Sequence, residues 1–191
     1  MQCNSGLVSQ HFSDPRHIGE AVEPNFVGKA ASFKCGASLR ISLHIDESQR
    51  ITAAKFKAAG CSVMVASASL LIDEVLNKTT AEAALLGQQP AAIVAQLGIL
   101  PAERSECPSL ACEALLGAIC NYSNAARDEW EGDEALICTC FCVSERTIEQ
   151  GIRTGNLKSI TEVTALCSAG AGCGSCYPLI QDILEEVNGN W

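Results

Sequence analysis

Four cysteines form two close pairs late in the chain: Cys138 and Cys140 in a CxC, Cys173 and Cys176 in a CxxC, with thirty-two residues between the pairs. Two thiol pairs on separate loops can converge on one soft metal centre, because thiolate is a ligand that both zinc and iron–sulfur clusters favour. Disulfides, a four-thiolate zinc site and an iron–sulfur cluster are the three chemistries open to such a stretch, and spacing alone does not separate zinc from iron and sulfide. Glycines 170, 172 and 174 surround the second pair. They permit tight bends and let backbone N–H groups approach the sulfurs, where they would stabilise thiolate charge and tune a cluster's potential.

Three further cysteines sit at the ends of predicted elements. Cys35, in "KCGAS", lies in a turn before a strand. Cys61, in "AAGCS", lies where a strand gives way to a helix. Cys107, in "SECPS", precedes a helix that Pro108 opens. Helix N-termini favour thiolate, so Cys61 and Cys107 would each face a positive dipole end. Such thiols can share a metal or stand apart as buried, inert groups; the residues leave both readings open. Cys3, Cys112, Cys120, Cys142 and Cys167 are read as small packing groups. Cys112 and Cys120, eight apart on one helix, are expected to share a face. His44 falls on the polar face of a strand, and His11 and His17 fall in a segment expected to dock on the domain; none of the three is expected to be a ligand.

The elements that must position these thiols are legible from periodicity. Residues 38–46 alternate, with Leu39, Ile41, Leu43 and Ile45 on one face, and residues 51–60 form the returning strand, ended by Gly60. A preceding strand is expected within 26–34, giving a small antiparallel sheet. Ser62 to Asn77 reads as a largely apolar helix. Thr79 with Glu82 is a capping box, Pro90 opens a short helix ending near Gly98, and Pro108 opens a long one to Arg127. The acidic run 128–135 reads as a joint, giving domains at 1–130 and 135–191. In the second, Ser144 caps a helix, Ser159 with Glu162 forms another capping box, and Pro178 begins a last helix. The expected fold is α+β, a small antiparallel sheet packed with helices, followed by a small all-helical module. So short a module has little core of its own and would need a staple such as a metal.

Composition narrows the setting. Of the 191 residues 48% are apolar, enough for a core without disulfides, and the net charge is −9. An acidic chain repels phosphate backbones, so nucleic acid is not an expected partner. The first residues show neither a basic n-region nor an apolar h-region, and the longest apolar stretch is too short to span a bilayer. The expectation is a cytoplasmic protein with no membrane partner, where thiols stay reduced and clustered cysteines favour metal or redox chemistry over bridges.

Longer stretches carry a resemblance. "CTCFCVSE" and "GAGCGSC", with the two-helix pattern between them, resemble the bacterioferritin-associated ferredoxin-like [2Fe–2S] module. "HFSDPRHIGE", "FKCGASLRISLHID", "KFKAAGCSVMVASASLLIDEVLNKT" and "LPAERSECPSLACEAL" resemble, in order, the IscU-type scaffold of iron–sulfur cluster assembly. The two together resemble the NifU family of nitrogen-fixation scaffolds over nearly the whole chain; the family's usual third, thioredoxin-like cluster domain has no counterpart in these 191 residues. The resemblance implies a permanent [2Fe–2S] cluster on Cys138, Cys140, Cys173 and Cys176. It implies a labile cluster, [2Fe–2S] or [4Fe–4S], on Cys35, Cys61 and Cys107, where zinc is the other candidate. Sulfide would come from a cysteine desulfurase, and apo iron–sulfur proteins would be the clients.

Three positions depart from the family pattern: Ala37 replaces the aspartate of CGD, Glu106 replaces the histidine before the third cysteine, and Cys142 stands where glycine is usual. Three thiolates leave a centre one ligand short. Glu106 is the nearest sequence candidate for the fourth, and a thiol from a second chain in a homodimer is its rival. Retention of all three N-terminal cysteines favours a cluster-assembly scaffold. Ala37 and Glu106 favour the alternative of a ferredoxin-like carrier or regulatory protein with a degenerate scaffold domain; a zinc-stabilised interaction protein is the third reading. None is a conventional enzyme, since no Ser–His–Asp set, phosphate loop or usefully spaced acid pair is apparent.

Overall fold

The alternating segments form a three-stranded antiparallel sheet in the order β1 (Phe26–Ala31), β2 (Ser38–Ile45), β3 (Ile51–Ala59). The structure is a computed structural model that describes residues 6–129, 132 and 134–189. Leu39, Ile41, Leu43 and Ile45 are buried, as the period of two requires. Ser42 points to the opposite face yet is also buried. There its hydroxyl accepts the Ala21 N–H at 2.9 Å.

Helices cover the apolar face. α2 (Ser62–Val75) follows β3 directly and is buried over most of its surface, with Val63, Met64, Leu71, Ile72 and Val75 in the core. α3 (Thr80–Gly87) opens with the Thr79–Glu82 capping box, and α4 (Pro90–Leu97) has its proline in the first turn. A 3₁₀ turn (Ala102–Arg104) leads into α5 (Cys107–Asp128). α5 crosses β1 backbone to backbone: a Cβ on Gly28 would lie 1.9 Å from the Ala114 carbonyl oxygen and 2.4 Å from the Ala118 nitrogen. Glycine at 28 is thus required by close approach.

One helix goes beyond the sequence reading. α1 (Gly6–Ser13) is only eight residues long, and a helix that short has little stability in isolation. It is held by α2: Val8 and His11 are buried, and His11 Nδ1 lies 2.9 Å from Ser69 Oγ. Arg16 and His17 both reach Asp73, at 3.0 and 2.8 Å.

The chain divides into two compact units, Met1–Asn121 and Tyr122–Trp191. The division falls inside α5, ahead of the acidic joint expected at 128–135; Trp130, Glu131 and Asp133 of that joint lie outside the described residues, as does Cys3. The second unit is helical as expected, with α6 (Glu145–Gly155), α7 (Ile160–Cys167) and α8 (Tyr177–Asn188). It adds a short antiparallel ribbon, β4 (Leu136–Cys138) with β5 (Val143–Ser144). Ser144 caps α6 by accepting the Thr147 N–H, and Ser159 with Glu162 forms the capping box of α7. Its apolar core is small, centred on Ile148, Ile152, Val163, Ile180, Ile183 and Leu184. Among the described residues no helix is long and apolar enough to cross a membrane.

Candidate metal centres

In the first unit three element ends meet. Cys35 lies in the loop joining β1 to β2, which is closed by Ser32 N–H to Ala37 O (2.8 Å) and Gly36 N–H to Ser32 O (2.9 Å), with Gly36 at φ 68°. Cys61 is the N-cap residue of α2 and is extended, with no side-chain cap bond. Cys107 is the first residue of α5. The three thiols line one cavity of about 420 Å³ together with Ala37, Gly60, Glu103 and Arg104. Cys61 Sγ and Cys107 Sγ are 3.6 Å apart. Two thiolates on one tetrahedral metal, with bonds of about 2.3 Å, would sit about 3.8 Å apart, so this pair already approximates one edge of a coordination tetrahedron.

The three thiols differ in environment. Cys107 is buried, and desolvation pushes its thiol up. Cys35 is exposed, and the Ser32 hydroxyl and Ala37 N–H hold its thiol below the ordinary value. The Arg104 guanidinium favours thiolate at both. Arg104 and Glu103, which the sequence reading passed over, are therefore part of the site. The available signal was the charged pair in "PAERSEC", just ahead of the third thiol.

Ala37 and Glu106 fall in different places. Ala37 is 3% exposed, and a Cβ on Gly60 would lie 3.1 Å from its methyl. It closes one wall of the cavity with an inert group. Glu106 places Oε1 2.5 Å from Lys34 Nζ, both side chains being exposed, and it is not among the residues lining the cavity. The carboxylate in the lining is that of Glu103.

In the second unit the four expected cysteines come together in twos. Cys140 Sγ and Cys173 Sγ are 3.5 Å apart, and the Cys138 and Cys176 thiols are in hydrogen-bond contact. Cys138 ends β4, and Cys176 is the N-cap residue of α8. Backbone N–H groups approach the sulfurs as the glycine-rich loop predicts: Cys173 N–H at Cys140, Ser175 N–H at Cys173 and Gly170 N–H at Cys176. Gly170 and Gly174 have φ of 88° and 73°. At Gly172 a Cβ would lie 2.8 Å from Cys140 Sγ, so the backbone itself forms the wall of a sulfur cradle. The Ser175 hydroxyl, 3.0 Å from Cys173 Sγ, leads the groups that bring that thiol down to about 7, whereas burial leads the effects that push Cys176 up to about 11.

Among the described residues the other thiols do not join these groups. Cys142 has φ 52°, a left-handed conformation that glycine adopts at least cost. Cys167 donates its S–H to the Val163 carbonyl of its own helix at 3.2 Å. Cys112 is buried, but Cys120 is exposed, which corrects the expectation of a shared face: eight residues turn a helix by about 80° beyond two full turns. His44 bonds Thr52 Oγ1 at 2.8 Å. Among the described residues no group of three His, Cys, Asp or Glu side chains stands ready to hold a single metal ion. The donors are nonetheless right for an iron–sulfur centre. Two thiol pairs match two irons taking two thiolates each, and the N–H groups match the hydrogen bonds such sulfurs accept.

The fold is an α+β domain followed by a helical one, and each brings cysteine thiols from separate elements together. Residues 4–129 match the family described as NifU-like N terminal domain, and residues 136–186 match the BFD-like [2Fe-2S] binding domain. The chain belongs to the NifU-like family. It is 35% identical over 193 residues to the nitrogen fixation protein NifU of Nostoc sp., covering 96% of this chain and 63% of that one. It is 32% identical over 183 residues to the NifU of Azospirillum brasilense, covering 94% and 58%. The chain thus spans less than two thirds of the length of these relatives. It is also 31% identical over 118 residues to the iron–sulfur cluster assembly scaffold protein IscU 1 of Archaeoglobus fulgidus, covering 62% of this chain and 75% of that one. Two crystal structures share the fold of the first domain. One, from Fervidobacterium islandicum, is described as a cluster assembly scaffold of the SUF system (TM-score 0.53, 18% identity, 59% of this chain, 93% of that one). The other is a NifU-like N-terminal domain from Brucella abortus (TM-score 0.50, 18% identity, 62% and 93%).

Proposed function

We propose that the chain is a scaffold on which iron–sulfur clusters are assembled and from which they are passed on. Iron and sulfide are cargo at Cys35, Cys61 and Cys107, and a resident [2Fe–2S] cluster is held by Cys138, Cys140, Cys173 and Cys176. The observation that carries this reading is the cavity at which the ends of three separate elements deliver three thiols. Cys61 and Cys107 supply a paired edge, and Cys35, exposed and held towards thiolate, is the thiol an incoming sulfur or iron species meets first. The fourth position is open to the lining Glu103, to Glu106 once Lys34 releases it, or to a thiol of a second copy in a dimer. A cysteine desulfurase is the sulfide source, apo iron–sulfur proteins are the recipients, and the work takes place in the cytoplasm without catalysis by the chain itself. The resident cluster, when bound, supplies one-electron redox chemistry.

One observation favours a second reading for the cargo site. Ala37 gives its wall of the cavity no carboxylate to assist cluster chemistry there, which favours a ferredoxin-like carrier whose first domain no longer holds a cluster. Anaerobic reconstitution with counting of iron and sulfide per chain decides between the readings. A scaffold takes up more than one [2Fe–2S] unit, loses the excess when Cys35, Cys61 or Cys107 becomes alanine, and gives that excess up to an apo-ferredoxin. A chain whose uptake stops at one unit and is indifferent to those replacements is a carrier with a degenerate first domain.

A further inference from the structure

The two thiol pairs of the second unit live in different surroundings. Cys138 and Cys176 are 2% and 5% exposed and touch each other. Cys140 and Cys173 lie 3.5 Å apart towards solvent, with Cys173 exposed. Hydrogen-bond donors are also unevenly shared. The outer pair receives the Cys173 N–H at Cys140 and, at Cys173, its own N–H together with the N–H and the hydroxyl of Ser175. A thiolate has no proton to give, so in the ligated state Ser175 is necessarily the donor across that 3.0 Å contact. At the inner pair, Cys176 receives its own N–H and that of Gly170.

Resting on the [2Fe–2S] reading above, we infer that the two irons are inequivalent. The iron bound by Cys140 and Cys173 takes up the electron, and the Ser175 hydroxyl is the side chain that sets its potential. A one-electron reductant, such as a reduced redox protein, converts one of the two ferric irons to ferrous, and the centre gains one unit of negative charge. That charge settles where it is best stabilised. Thiolates that accept more hydrogen bonds and border water stabilise it more than thiolates in an apolar interior. Each thiol pair joins one cysteine of the CxC turn to one of the CxxC turn, so the surface edge formed by Cys140 and Cys173 is also the side on which a redox partner would approach. Ser175 acts through Cys173 and is a positioning residue. Its hydroxyl is aimed by the turn ahead of α8, where Gly174 has φ 73° and the Tyr177 N–H donates to the Gly174 carbonyl at 3.0 Å.

The test uses the full chain, purified anaerobically with its cluster, and reads the midpoint potential by titration followed through absorption and EPR. Ser175→Ala should make the cluster harder to reduce, with the equilibrium shifted about tenfold, or about 59 mV for one electron. Ser175→Thr, which keeps the hydroxyl, should return the potential to that of the parent. Independently, Cys173→Ser should lower the potential and alter the EPR signal of the reduced centre more than Cys176→Ser, because only the former changes a ligand of the reducible iron. An unchanged potential in Ser175→Ala, or a larger effect from Cys176→Ser than from Cys173→Ser, overturns the inference while leaving the cluster assignment standing. If Ser175→Ala does not load, the two ligand replacements decide; if a ligand replacement does not load, the Ser175 pair decides. A parent chain that takes up no [2Fe–2S] unit, seen at once in its absorption, overturns the proposed function and this inference with it.

Discussion

The two thiol sites use the same ligand in opposite ways. In the first unit, Cys35, Cys61 and Cys107 come from three element ends far apart in sequence, and they border an open cavity with one thiol exposed. In the second, Cys138, Cys140, Cys173 and Cys176 come from two turns and pair off, backed by N–H groups and a glycine wall. An incomplete, solvent-facing set can admit and release cargo. A complete set with two buried members and a supporting hydrogen-bond shell holds what it binds. On the proposed function, retention would follow from ligand number, burial and second-layer hydrogen bonds more than from the kind of ligand.

The comparison breaks most visibly at the complete site. Replacing Cys176 by alanine should abolish the visible absorption of the second unit and, since its core is small, melt the unit as seen by circular dichroism. Iron uptake at the first site should survive. Gly172→Ala should come next, because its methyl cannot share space with Cys140 Sγ. Cluster affinity should fall about tenfold or more, measured by loss of absorption against a chelator.

At the incomplete site the effects are graded. Ala37→Asp puts a carboxylate into a nearly buried wall and should cost about 1–3 kcal/mol of stability, read by denaturant unfolding. The same carboxylate should shorten the lifetime of a cluster on Cys35, Cys61 and Cys107 and speed its transfer to an apo-ferredoxin; an unchanged lifetime would remove residue 37 from control of release.

Acidity separates the thiols without any metal. In the apo chain Cys173 should be alkylated by iodoacetamide with a half-maximal rate near pH 7, falling about tenfold per pH unit below that, whereas Cys176 and Cys112 should react only towards pH 11. Mass spectrometry of the labelled peptides reads this directly.

The smallest expected effect lies at α1. Burial and Arg16 hold the His11 imidazole below its ordinary 6.5, so the unfolded state takes up the proton first as pH falls. Stability from this contact is fully present above about pH 6.5 and declines as pH drops through the lowered folded value. His11→Gln should flatten that part of the stability–pH curve.

Much of this was legible in the chain itself. Two-residue alternation placed β2, the turn and Gly60 bounded the returning strand β3, and the Thr79–Glu82 and Ser159–Glu162 boxes and Pro90 placed helix starts, because capping and strand patterning are satisfied within a few residues. α1 was not legible, since its eight residues are helical through α2 rather than through their own propensity. Cys112 and Cys120 part because a spacing of eight leaves about 80° of residual rotation, which sets one thiol inside and the other outside. Alternation puts Ser42 on the polar face of β2, and its burial follows from tertiary partners, the Ala21 N–H that its hydroxyl accepts and the Lys55 carbonyl to which it donates.

At the sites the division is sharper. Sequence alone determined the kind of donor and the local geometry of its backbone: cysteine pairs two and three residues apart, glycines where the chain must turn or touch a sulfur, and an alanine where a carboxylate would otherwise stand. These are short-range properties, set by neighbouring residues. Tertiary structure alone decided which thiols face one another, that Glu106 turns to Lys34 while Glu103 and Arg104 line the cavity, and that Cys140 and Cys173 lie outward while Cys138 and Cys176 lie within. Those facts depend on where helices cross strands and turns fold back. Such crossings are fixed by contacts like that of Gly28 with α5, between residues that no local pattern connects.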